Sequence, residues 1–141
     1  MIIKQLSVFL ENKAGRLTEV TEALAFAGIN ISAFSVADTA DYGILRLIVN
    51  KPEETEKILK DKGFSVHITN VIGLIVPHEP GGLHRALKIL SNEGIDVEYM
   101  YAFALSNNAT VIIRTEAVEK AISVLEQHKM ELIKASDIYE I

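Results

Sequence analysis

Cysteine is absent from the 141 residues, and with it go disulfides, thiolate nucleophiles and every sulfur-ligated metal site. The expected setting is reducing and cytoplasmic. No apolar run approaches the roughly 20 residues that cross a bilayer, and the opening Met1-Ile2-Ile3-Lys4-Gln5 lacks a basic region followed by a long apolar stretch. Neither a membrane partner nor a secretion signal is expected. Cations are few and scattered, 14 Lys and Arg against 19 Asp and Glu for a net charge of -5, so the footprint that phosphate backbones require is missing and nucleic acid is not an expected partner. What is present is ordinary: 49% apolar and 23% charged residues call for a packed core and exclude a disordered or low-complexity chain.

Catalytic groups are thin too. No serine lies in a G-x-S-x-G elbow, no GxxxxGK[ST] or GxGxxG phosphate cradle occurs, and a hydrolase or nucleotide-dependent enzyme is not expected. The four histidines, His67, His78, His84 and His128, are dispersed, and the spacing of His78, Glu79 and His84 matches no standard metal site. The expectation is a non-catalytic protein with no cofactor or metal.

An internal repeat organises the chain. Displaced by 66 positions and without a gap, Gly15 meets Gly81, Leu17 meets Leu83, Leu24 meets Leu90, Gly28 meets Gly94, Ile29 meets Ile95 and Leu59 meets Leu125. The identities fall where a turn opens a helix and where a glycine closes it, which argues for duplicated structure. Leu6, Val8 and Leu10 alternate as a strand does, as do Ile72, Leu74 and Val76. Helical stripes follow, Leu17, Val20, Leu24 and Ala27, then Leu83, Ala86, Leu87 and Leu90, with Gly28 and Gly94 at the C-caps.

Further along, strands are expected at 29–36 and 95–103, turns at 38–43 and 106–108, and third strands at 45–49 and 111–113. Second helices are expected at 52–62 and 118–128, and last strands at 64–68 and 130–133. The helix at 52–62 is the weaker, with only Ile58 and Leu59 large and apolar. The fold class is α+β: two tandem ferredoxin-like βαββαβ units, each a four-stranded antiparallel sheet with two helices on one face. The domains are expected at 1–69 and 70–141. With so short a connection the copies should pack on each other, and Val71 and Ile75, apolar where Gln5 and Phe9 stand in the first copy, call for cover by the other copy or another chain. A homodimer is expected.

The glycine-bearing turns that end at a helix N-terminus have a physical use. Unpaired N–H groups converge there and the helix dipole adds about half a positive charge, a seat for a carboxylate that Gly15, Gly81 and Gly82 leave open. A βα connection often needs a glycine for its own geometry, but two equivalent turns, each read as facing a polar residue at the next strand's start (Asn30 or Asp96), favour binding.

The turn Asn12-Lys13-Ala14-Gly15-Arg16-Leu17, the segment Gly28-Ile29-Asn30-Ile31, and their partners Pro80-Gly81-Gly82-Leu83 and Gly94-Ile95-Asp96-Val97 resemble the signature of ACT domains. The resemblance spans nearly the whole chain as two copies. It implies a regulatory amino-acid-binding module whose ligand sits where two ACT units meet, between the first turn of one unit and strand-start residues of its neighbour. Carried over by position, the binding residues are Asn12, Ala14, Gly15, Arg16, Leu17, Asn30 and Ile31, with His78, Gly81, Gly82, Leu83, Asp96 and Val97 in the second copy. There His78 replaces the turn Asn and Asp96 the strand Asn, so the first turn is expected to bind more tightly. The implied function is an amino-acid sensor or regulator. The alternative is a regulatory subunit of a biosynthetic enzyme such as acetolactate synthase. Tyr99 and Tyr101 suit either a flat ligand side chain or packing, and packing is the preferred reading.

Overall fold

In the computed structural model, which describes residues 1–38 and 41–140, the elements are β1 (Ile3–Glu11), α1 (Arg16–Phe26), β2 (Ile31–Asp38), β3 (Tyr42–Val49), α2 (Pro52–Asp61), β4 (Ser65–Pro77), α3 (Gly82–Asn92), β5 (Tyr99–Leu105), β6 (Asn108–Arg114), α4 (Val118–Gln127), β7 (Glu131–Leu132) and α5 (Ala135–Tyr139). They form two compact units. One comprises Lys4–Thr69 together with the chain from Ser136 onward, the other Met1–Ile3 and Asn70–Ala135. Each is a ferredoxin-like antiparallel sheet with two helices on one face.

In the first unit the strand order is β2-β3-β1-β4. The register sets Leu6 opposite Leu47 and Val8 opposite Leu45, so the alternating apolar residues of both strands share the helix side. There they meet Val20, Ala23 and Leu24 of α1 and Leu59 of α2. In the second unit β4 lies between β6 and β7, and β5 edges β6. Leu74 is opposite both Val111 and Leu132, and Ile72, Leu74 and Val76 pack on Ala86 and Leu90 of α3 and Ala121 and Leu125 of α4. Leu17 departs from its stripe: at the first turn of α1 it stays 43% exposed, and Ala23 takes its share of the core.

Several boundaries differ from the sequence reading. The strands expected at 64–68 and from Leu6's counterpart onward are one strand, β4, because Val66 to Ile72 contains β-formers and no glycine or proline to break it. The strand expected from Ile95 begins only at Tyr99, where the ladder with Arg114 starts; 95–98 is irregular. The last strand shrinks to two residues, and α5, whose Ile138 is buried, has no repeat partner and was not foreseen. The turn expected at 38–43 includes residues 39 and 40, which lie outside the described residues.

Four helices end alike. The N–H of Gly28 donates to the Ala25 carbonyl and that of Ile29 to Leu24, a pattern repeated by Gly63 and Phe64 on Lys60 and Leu59, by Gly94 and Ile95 on Ser91 and Leu90, and by Lys129 and Met130 on Glu126 and Leu125. The closing residue must turn left-handed. Glycine does so freely, but Lys129 holds φ 58 with a side chain in place. Lys129→Gly is therefore expected to stabilise the protein by about 1 kcal/mol, read as a shift in the denaturation midpoint at unchanged slope.

Cover for the second sheet face of the second unit comes partly from within it. A Cβ on Gly73 would stand 2.9 Å from Ile3 Cδ1 and 3.3 Å from Ile133 Cβ, and Val71 on the same face is fully buried. The expectation was cover by the other copy or another chain; Ile3, within the 1–69 bounds expected for the first copy, meets it in part, and Ile133 of the second copy itself adds to it. The residues doing so lie at the chain's start and just after β7.

Candidate functional site

The two turns are built alike, bond for bond. Lys13 N–H donates to the Glu11 carbonyl at 2.8 Å, Arg16 to Lys13 at 3.3 Å, Glu19 to Gly15 at 2.9 Å and Asn12 to Asp41 at 3.3 Å. In the second copy Glu79 donates to Pro77 at 2.9 Å, Gly82 to Glu79 at 3.1 Å, Arg85 to Gly81 at 3.0 Å and His78 to Asn107 at 2.8 Å. Gly15 and Gly81 are the N-caps, at φ 91 and φ 90, with no side-chain cap. These bonds leave the N–H groups of Leu17 and Thr18, and of Leu83 and His84, without a backbone acceptor among the described residues. Each helix start thus carries a positively polarised pair of such N–H groups.

The glycines have separate reasons. Around Gly15 and Gly81 there is open space, and the left-handed backbone demands glycine. Gly82 is different. A Cβ on it would lie 2.2 Å from the Pro77 carbonyl oxygen, so it permits a close backbone approach rather than access for a ligand.

The residues singled out in the sequence do not all gather at the turns. Asn12, Ala14 and Gly15 are exposed together at the end of β1, and His78 and Gly81 likewise at the end of β4. The Arg16 guanidinium turns aside, 4.7 Å over the Phe64 ring and 2.8 Å from Glu19. Asn30 sits at the opposite end of its sheet: its N–H donates to Asn50 Oδ1 at 3.1 Å, and Ile31 pairs with Val49 while the hairpin end, Asp38 with Gly43, lies beside Asn12. Seven residue steps along β2 are roughly 23 Å. Within a unit, therefore, the strand start does not face the turn, contrary to the sequence reading, because α1 carries the chain back along the sheet before β2 begins. Ile31 and Val97 pack against the cores of their units, Leu83 is half-buried, and Asp96 is exposed in the irregular stretch before β5.

What does adjoin the second turn was missed. Ala102, Ala104 and Ala109 of the β5–β6 hairpin form, with His78 and Leu83, a recess of about 320 Å3. The signal was available in the small residues that stand there at the 66-residue displacement from Val36 and Gly43. Tyr99 and Tyr101 are half-buried and, by register with Arg114 and Ile112, on the sheet face away from the helices. Among the described residues no three His, Asp or Glu side chains cluster as a metal site would need, and no helix is long and apolar enough to cross a membrane.

A family model described as an ACT domain pair matches residues 1–141. No curated protein matches the sequence. Among solved structures, protein BT0572 from Bacteroides thetaiotaomicron is 52% identical, covering 100% of this chain and 98% of its own, with a TM-score of 0.96. The ligand-free regulatory subunit of aspartate kinase from Thermus thermophilus is 17% identical over 88% of this chain and 91% of its own, at a TM-score of 0.66, and that from Thermus flavus 16% identical over 88% and 90%, at 0.64. At those identities the likeness to the kinase subunits is one of fold.

Proposed function

The chain belongs to the ACT domain pair family, and from that premise we propose that it is a non-catalytic, cytoplasmic sensor or regulator that binds a free amino acid at its β1–α1 and β4–α3 turns. The observation that carries this reading is the duplicated turn: the same backbone hydrogen bonds leave the same two N–H donors at each helix start. A carboxylate is the group such donors and a helix dipole suit best. Asn12 and His78 stand in the same turns, and strand-start residues such as Asn30 and Asp96 would meet the turn of an adjoining ACT unit. The exposed apolar side chains Phe34 and Val36 on edge strand β2 support a homodimer as the working assembly. Light scattering that reads 15.6 kDa throughout a ligand-loaded dilution series would remove the dimer from the proposal.

The test is a thermal-shift screen of the twenty amino acids. A ligand at 100 times its dissociation constant stabilises by about 2.7 kcal/mol, a shift of several degrees. If none moves the transition at millimolar concentration, the sensor reading fails. The second reading, a subunit that regulates a biosynthetic enzyme such as acetolactate synthase, draws on the fold shared with aspartate kinase regulatory subunits. A stoichiometric enzyme partner in a native pull-down would favour it.

A further inference from the structure

The two turns share their backbone bonds, so what separates them must lie in the side chains beside them. In the second unit β5 and β6 pair Ala102 with Val111 and Ala104 with Ala109, which puts these alanines on the helix side, next to the start of α3. They leave the recess of about 320 Å3 that opens between His78 and Leu83. That volume lies at the lower end of the range for small-molecule sites, the size of one amino acid rather than a dinucleotide. In the first copy the position equivalent to Ala102 is Val36, paired with Leu45 as Ala102 is with Val111. An isopropyl group, 49% exposed, stands there in place of a methyl. Gly43 takes the place of Ala109 and leaves room instead for Asn12, whose Oδ1 lies 3.3 Å from where a Cβ on Gly43 would be.

We infer that the recess above Ala102 receives the apolar side chain, branched or aromatic, of the amino acid whose carboxylate meets the Leu83 and His84 N–H groups, making Ala102 the residue that sets specificity. This rests on the amino-acid reading above. The charged residues near the second turn, Glu79 and Arg85, line a separate cleft with Lys129 and Glu131, and only Glu79 also borders the recess. His78 and Glu79 border the recess from the turn, while Val76, Leu83, Val111 and the alanines make the rest of its lining apolar, so an apolar side chain gains contact there that a polar one does not.

The experiment is calorimetry of leucine, valine, phenylalanine, glycine, serine and aspartate binding to the wild-type chain and to Ala102→Val. Wild type is expected to bind at least one of the three apolar amino acids at least tenfold more tightly than glycine, since a hydrophobic pocket discriminates by roughly tenfold or more per methylene. Ala102→Val installs the residue that the first copy already carries, so folding is expected to survive. It should abolish that preference while leaving glycine binding within about twofold. Ala109→Gly, again the first copy's residue, enlarges the recess and should shift the preference toward phenylalanine. A wild type that binds serine or aspartate but not the apolar three overturns the recess while the sensor reading stands, as does an apolar preference that neither variant alters. If none of the twenty amino acids binds the wild type, both the reading and this inference fall.

Discussion

Gly82→Ala is expected to lower stability by about 3 kcal/mol, although alanine is the better helix former and glycine's extra freedom in the unfolded chain favours the replacement by up to about 1 kcal/mol. The cause is the 2.2 Å that would separate the new Cβ from the Pro77 carbonyl oxygen. That oxygen also accepts the Glu79 N–H at 2.9 Å, so it cannot retreat without opening the turn. The first copy carries Arg16 at the same place, with Glu11 and Ala14 where the second has Pro77 and Pro80. Two prolines fix two φ angles and stiffen the approach. Denaturant unfolding should therefore show the cost in Gly82→Ala and recover much of it in Gly82→Ala with Pro80→Ala. The pair should be non-additive by at least 1 kcal/mol. Additive losses would mean that the turn's stiffness plays no part.

The sequence carried the repeat and the core faces because both rest on local rules. Alternation put Leu6, Val8, Leu10, Ile72, Leu74 and Val76 on the helix side, and all six are buried. Glycine at a helix end marked the caps at Gly28 and Gly94, yet the same cap at Lys129 was invisible, since nothing in a lysine announces a left-handed backbone. Element ends fared worse for a tertiary reason. Whether Ile95 or Tyr99 begins a strand depends on where Arg114 ends its partner, a pairing that local pattern does not encode. The turns were legible as glycine-bearing βα connections, but not the difference between their glycines. Gly81 answers to φ and Gly82 to a neighbour's carbonyl, a difference that exists only in the folded turn. Likewise the placing of Asn30 beside the turn failed because proximity in sequence says nothing of which end of a sheet a returning helix reaches.

The weakest helix in the sequence leads to the other large effect. Leu59 and Leu125 are equivalent, and both are fully buried. Around Leu125, α4 also buries Val118, Ala121 and Val124, whereas α2 buries only Pro52 and Thr55 beside Leu59, and the Thr55 hydroxyl is committed to the Lys51 carbonyl at 2.7 Å. Leu59 is thus the one large apolar side chain that α2 buries fully, with Ile58 packed partly buried against the same core, and its carbonyl accepts the Phe64 N–H that closes the helix. Truncation to alanine removes three heavy atoms from a filled core and is expected to cost about 4 kcal/mol, toward the upper part of the range for such changes. The melting transition should fall by roughly 10 °C. Leu125→Ala is expected to cost about 3 kcal/mol, since its neighbours keep α4 anchored. Native-state hydrogen exchange separates the two consequences: Leu59→Ala should strip protection from α2 amides well before global unfolding, while α4 in Leu125→Ala opens only with its unit. Equal exchange behaviour in the two variants would show that α2 is held by something other than this side chain.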